Sequence, residues 1–119
     1  MELKLVLKRV PYEQIEAGIK KEEYREITDY WKKRICSNWD NYFKGHYCVF
    51  GCNCLDFCGQ KHKHIAHNYD RVTFYLGYAK DRPSMTFRVD DVVIDKGVPE
   101  WGANYGQDYF VIKLGERLQ

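Results

Sequence analysis

The sequence contains no apolar run near the roughly 20 residues that a membrane-spanning helix needs. The residues that follow Met1, ELKLVLKRV, alternate between apolar and polar side chains instead of forming the hydrophobic block of a signal peptide. We therefore expect a cytoplasmic protein without a membrane partner. In such a reducing compartment, cysteines are more often thiols or metal ligands than disulfides.

The sequence also lacks a strong excess of either charge, because 19 Lys and Arg face 17 Asp and Glu, which leaves a net charge of +2. A protein held to nucleic acid by phosphates alone is far more basic, so any contact with nucleic acid has to be local. A hydrophobic content of 45% indicates a folded chain. Its 119 residues predict a single domain over 1–119.

Cysteine and histidine are absent from both ends of the chain, since all of them fall between residues 36 and 67. This uneven distribution predicts an insertion over 36–67 within the domain. Cys48, Cys52, Cys54 and Cys58 are spaced C-x3-C-x-C-x3-C and precede three histidines, and these are ligand types of structural zinc. The alternative is a reduced, packed cysteine-rich loop, because the single residue between Cys52 and Cys54 strains simultaneous ligation. No cofactor other than this candidate zinc is expected.

Aromatic side chains are frequent at the start of the same insertion, at Trp39, Tyr42, Phe43, Tyr47 and Phe50. Such residues stack on bases in proteins that bind single strands. They also form the apolar core that an insertion of this length has to bury. Both interpretations stay open.

Outside the insertion, hydrophobic periodicity predicts strands and two short helices. LKLVLK alternates as a strand does, and PYEQIEAG has the apolar spacing of a helix that ends at Gly18. Thr28 is a suitable N-cap for DYWKKRI. YDRVTFYLGY, SMTFRVDDVVID and YFVIKLGERL are rich in β-branched and aromatic residues and predict further strands. Five or more strands with two or more short helices predict a mixed α/β (α+β) fold built on a small β-barrel.

Charged residues crowd the stretch GIKKEEYRE, where Gly18, Lys20, Glu23 and Arg25 follow the pattern G-x-K-x-x-E-x-R. Lysine contacts a phosphate or a carbonyl as a point charge, and arginine offers a planar fork. A nearby glutamate orients that guanidinium or accepts from a nucleobase amine. The alternative is a row of surface ion pairs, each worth about 0.2–1 kcal/mol.

This motif resembles the signature of the ASCH domain family. The likeness extends to YW-KR in the second helix, to VTFYLGY and to EWGA at 100–103, and it covers roughly 3–35 and 69–118. It implies a PUA-like β-barrel with a cleft that binds RNA or a nucleotide. By this resemblance the ligand-binding residues are Gly18, Lys20, Glu23, Arg25 and Trp101.

The same resemblance implies an alternative function, because some small ASCH proteins hydrolyse the amide of acetylated cytidine. Their motif lysine is catalytic, and a threonine stands where this chain has Glu23. An amidohydrolase acting on a modified nucleoside would use Lys20 as amine or acid and Glu23 or Glu100 as base. A third alternative is a metal-stapled interaction protein, in which a bound metal ion stabilises the insertion and the insertion contacts the partner.

The motif also makes a geometric prediction that does not depend on the chemistry. A ligand site needs convergent polar groups in a concavity. We expect the charged ends of Lys20, Glu23 and Arg25 to lie within about 8 Å of one another around such a concavity.

Overall fold

A computed structural model describes residues 1–35 and 69–119, so the predicted insertion over 36–67 lies outside the described residues. The elements follow one another in the order β1 (Glu2–Leu7), α1 (Arg9–Glu16), β2 (Glu22–Arg25), α2 (Asp29–Ile35), β3 (Arg71–Leu76), β4 (Ser84–Lys96), a short 3-10 helix (Pro99–Trp101) and β5 (Asp108–Arg117).

Within these two ranges, five strands form one mixed sheet in the order β1-β3-β4-β5-β2. β1 pairs with β3 in parallel, and the other pairs are antiparallel. β4 has thirteen residues, and its register with β5 shifts twice between Phe87 and Asp91. Such irregularities bend a strand and increase its twist. The sheet curls into a half-barrel, which confirms the predicted strand-dominated α+β class with two short helices.

The N-terminal elements follow their sequence patterns closely. Leu3, Leu5 and Leu7 are buried on one face of β1, as strand alternation predicts. In α2 the hydroxyl of Thr28 accepts a hydrogen bond from the backbone N–H of Trp31, which is the expected N-cap. Helix α1 ends before Gly18, whose φ of +78° is a left-handed conformation that glycine adopts without steric cost.

Two groups of apolar side chains cover the two faces of the sheet. The larger group includes Leu5, Phe74 and Phe110, and it packs beneath α1 and α2. The smaller group lies on the other face and consists of Tyr24, Val93, Ala103, Tyr109 and Val111, with Trp101 against it. The centre of β5 is therefore buried on both faces, and the segment after β4 covers the smaller group.

Among the described residues, neither helix has the length and apolar character that crossing a bilayer requires. Helix α1 has eight residues and α2 has seven.

Candidate functional site

One carboxylate joins the three charged side chains of the motif. Lys20 Nζ lies 2.7 Å from Glu23 Oε1, and Arg25 Nη1 lies 2.6 Å from Glu23 Oε2. Both contacts are short, charge-assisted hydrogen bonds. The charged ends of Lys20, Glu23 and Arg25 are thus in direct contact, well within the distance expected from the motif.

This Lys20–Glu23–Arg25 cluster is largely removed from solvent. The side chains of Lys20 and Glu23 are 3% and 4% exposed, and that of Arg25 is 17% exposed. Two cations share one carboxylate, so the cluster has one positive charge in excess. Burying charge is costly unless it is paired and hydrogen-bonded. A surface row of ion pairs is therefore the wrong description of these three residues.

The turn between α1 and β2 fixes the position of Lys20. After Gly18 the chain reverses, and the backbone carbonyl of Gln14 accepts hydrogen bonds from the N–H groups of Ile19 and Lys20 at 2.9 and 3.0 Å. Lys20 is held at a defined point before β2 begins. Glu23 follows within β2, and strand alternation places it on the same face as Arg25.

Arg25 has contacts on three sides. Its Nη1 also donates to the carbonyl of Tyr24 at 2.8 Å, and its Nη2 donates to the carbonyl of Val6 in β1 at 3.4 Å. The guanidinium carbon lies 5.1 Å from the ring centre of Trp31 in α2, a cation–π distance. The side chain is therefore oriented by β1, β2 and α2 together.

Tyr24 points to the opposite face of β2 and anchors the segment that follows β4. Its hydroxyl donates to Glu22 Oε1 at 2.7 Å and accepts from the backbone N–H of Val98 at 3.0 Å. Burial raises the pKa of the Tyr24 hydroxyl well above its ordinary value. The hydroxyl remains a donor through the neutral range, and it holds the start of the turn that carries Glu100 and Trp101.

A cleft of about 680 Å³ lies where these elements meet. Its lining comes from the end of β1, from α1, from β2, from α2 and from the segment around the 3-10 helix. Lys20, Glu23 and Arg25 lie in its wall, and Glu100 and Trp101 line it from the 3-10 helix. Its volume is within the range of small-molecule sites.

The structure brings five of the predicted site residues to this cleft and leaves one outside its lining. Gly18 does not line the cleft, and its part is to end α1 and let the chain turn toward Lys20. Glu100 is exposed at the edge of the cleft, and its backbone carbonyl accepts a hydrogen bond from Gln14 Nε2 at 3.4 Å. Trp101 is half-buried between the cleft and the smaller apolar group.

Several residues of the cleft were not predicted from the sequence, namely Lys8, Gln14, Glu26 and Trp31. Trp31 belongs to the YW-KR stretch that resembles the family, and that resemblance is the signal that could have identified it. Gln14 has no such signal, because it is one polar residue on a helix. Its importance comes from two contacts that only the folded chain creates, one with the backbone of Lys20 and one with that of Glu100.

The candidate zinc ligands Cys48, Cys52, Cys54 and Cys58 lie outside the described residues. Within 1–35 and 69–119, no three His, Cys, Asp or Glu side chains are arranged to hold a metal ion.

Comparison of the chain with protein families, with curated proteins and with solved structures finds no match.

Proposed function

We propose that this chain is an ASCH-type module with a PUA-like β-barrel, and that its cleft binds RNA or a nucleotide. One observation carries the proposal: the motif residues Lys20, Glu23 and Arg25 form a largely buried cluster with one excess positive charge in the wall of a cleft. A buried positive charge favours an electron-rich partner. Phosphate oxygens and the carbonyl oxygens of nucleobases are such partners.

The cluster keeps hydrogen-bond donors that its internal contacts do not use. The ammonium of Lys20 has three protons, and in the described part of the chain one of them is engaged by Glu23. Arg25 has five N–H groups, and its contacts with Glu23, Tyr24 and Val6 leave some of them unused. Donors of this kind suit an oxygen acceptor better than an amine.

Aromatic side chains supply the second element of nucleotide recognition. Trp31 and Trp101 both line the cleft. Stacking of a base on an aromatic ring contributes about 1–3 kcal/mol. Charged donors with aromatic surface in one cleft favour a nucleobase with an attached phosphate or carbonyl group over a purely apolar ligand.

Calorimetric titration with cytidine, acetylated cytidine and cytidine monophosphate tests the proposal. We expect at least one of them to bind more tightly than millimolar, and Lys20→Ala to weaken that binding at least tenfold. Lys96→Ala is the matched control, because Lys96 is exposed, pairs with Asp108 and does not line the cleft. Equal binding by the wild type and Lys20→Ala would contradict the proposal, as would the absence of binding by all three compounds.

Contact geometry favours binding over the amidohydrolase alternative. Each oxygen of Glu23 accepts from a cation, so Glu23 acts as a base only if one of these contacts breaks. A turnover assay on acetylated cytidine separates the two functions. For a hydrolase, Lys20→Ala abolishes turnover and leaves product binding measurable, since a catalytic group acts mainly on the transition state.

The metal-stapled alternative depends on Cys48, Cys52, Cys54 and Cys58, which lie outside the described residues. Metal analysis of protein purified without a chelator tests it. One zinc per chain supports a structural site in the insertion, and a metal-free folded protein contradicts it.

A further inference from the structure

The charges that line the cleft cancel. Three cations and three carboxylates contribute to its lining: Lys8, Lys20, Arg25, Glu23, Glu26 and Glu100. Sites for nucleoside triphosphates usually combine positive side chains with a metal ion, because the ligand carries several negative charges. Among the described residues, this cleft has no comparable surplus of positive charge.

The two signs are also separated in depth. Lys20 and Glu23 are buried and Arg25 is half-buried beside them, and the three have one positive charge in excess. Lys8, Glu26 and Glu100 are exposed, and together they have one negative charge in excess. Within the described chain, neither Glu26 nor Glu100 has a cation at ion-pair distance. The cleft is therefore positive in its wall and negative at its rim.

We propose that this arrangement selects ligands by charge, so that the cleft admits a nucleoside or a single phosphate group and rejects nucleoside di- and triphosphates. The inference rests on the proposed function and specifies its ligand class. One negatively charged oxyanion neutralises the single excess positive charge of the Lys20–Glu23–Arg25 cluster. Further phosphates extend toward the rim, where Glu26 and Glu100 repel them. Glu26 and Glu100 are thus specificity-determining residues for this cleft.

The repulsion at the rim acts between exposed charges and depends on salt. The screening length is about 30 Å at 0.01 M ionic strength and about 8 Å at 0.15 M. Selection by charge is therefore strongest in dilute buffer. Loss of affinity through steric exclusion alone would not change with salt, so ionic strength separates the two causes.

The experiment is calorimetric titration of the full chain with cytidine, cytidine monophosphate, cytidine diphosphate and cytidine triphosphate, without magnesium, at both ionic strengths. We expect the triphosphate to bind at least tenfold more weakly than the monophosphate in dilute buffer, with a smaller ratio at the higher salt. The double variant Glu26→Gln with Glu100→Gln should reduce that ratio to about threefold or less. Glu116→Gln is the control, because Glu116 is exposed on β5 and does not line the cleft.

Two outcomes overturn the inference, and they are distinguishable. If the monophosphate and the triphosphate bind equally, or if the double variant keeps the wild-type ratio, charge selection is wrong and the proposed function stands. If no member of the series binds at either ionic strength, the inference fails, and the proposed function fails with it when acetylated cytidine does not bind either.

Discussion

Arg25 donates a hydrogen bond from its side chain to the backbone carbonyl of Val6 at 3.4 Å. Arg25 belongs to β2 and Val6 to β1, and these strands occupy the two ends of the sheet order. A single guanidinium therefore links the two ends of the half-barrel. Because Arg25 also lines the cleft, sheet stability and the candidate ligand site depend on the same side chain.

Arg25→Lys should lower the stability of the sheet and weaken ligand binding, although the positive charge remains. Lysine lacks the planar fork, so it cannot contact Glu23 and the carbonyls of Tyr24 and Val6 together. We expect the free energy of unfolding to fall by about 1–2 kcal/mol, measured by urea denaturation. Binding of cytidine monophosphate should weaken by roughly tenfold in calorimetry.

Arg88→Lys is the control for this prediction. Arg88 is also a strand arginine with two carboxylate partners, Asp90 and Glu116, but it is exposed. Its substitution should change the free energy of unfolding by less than about 0.5 kcal/mol and leave binding unchanged. Equal effects of the two substitutions would show that the contacts of Arg25 across the sheet ends are unimportant.

Glu23→Gln should be among the most destabilising conservative substitutions in this chain. It leaves the buried ammonium of Lys20 and the half-buried guanidinium of Arg25 without their carboxylate, and removing one partner of a buried pair costs about 3–5 kcal/mol. Glu116→Gln, at an exposed ion pair, should cost less than about 1 kcal/mol. Adding Lys20→Met to Glu23→Gln should recover part of the loss, because the unpaired ammonium is then absent. No recovery in the double variant would contradict this explanation.

The local parts of this structure were predictable from the sequence. Leu3, Leu5 and Leu7 follow strand alternation, and Thr28 and Gly18 mark a helix start and a helix end. The Lys20–Glu23–Arg25 cluster was predictable too, because its members are close in sequence and share a turn and a strand. In each case the residues whose interaction determines the local structure are only a few positions apart in the sequence.

The parts that depend on distant contacts were not predictable. Ile19 continues the helical spacing of Tyr12 and Ile15, but it follows the end of α1 and is 59% exposed. The bond between Arg25 and Val6 depends on β1 and β2 occupying the two ends of the curled sheet, and no residue pattern gives that strand order. Gln14 acquires its role only when the turn before β2 and the 3-10 helix approach α1.

Tyr24 should make the protein sensitive to alkaline pH. Burial raises the pKa of its hydroxyl in the folded state, so the folded chain holds this proton more tightly than the unfolded chain does. The contribution to stability is complete below the ordinary tyrosine pKa of 10.0 and is lost as the pH rises above it. We expect the free energy of unfolding to fall steadily from about pH 10 upward in urea titrations.

Tyr24→Phe should make the decline of the free energy of unfolding at alkaline pH shallower. At neutral pH it should lower the free energy of unfolding by about 1 kcal/mol, because the hydrogen bonds to Glu22 and Val98 are lost. Part of the decline should remain, because burial also raises the pKa of Tyr12 and Tyr69. Tyr78→Phe is the control, since Tyr78 is 85% exposed. A decline that is equally steep in all three proteins would exclude Tyr24 as its source.

Gly97 should tolerate no side chain, because the segment after β4 packs closely on Tyr24. A Cβ at this position would lie 2.4 Å from the Cβ of Ala103 and 3.3 Å from two ring carbons of Tyr24. Gly97→Ala should lower the free energy of unfolding by about 1–3 kcal/mol, the usual cost of overpacking, and weaken ligand binding by displacing Trp101. Gly115→Ala is the matched control, because its Cβ would meet only the exposed side-chain ends of Asp90 and Arg88, which can rotate into solvent.

A double-mutant cycle with Ala103→Gly identifies the source of the cost at Gly97. Ala103→Gly removes the nearest clashing atom, so Gly97→Ala should cost about 1 kcal/mol less in that background than in the wild type. The contact with Tyr24 persists, so the relief should be incomplete. If the two substitutions are additive in urea denaturation, the close approach to Ala103 is not the source of the cost at Gly97.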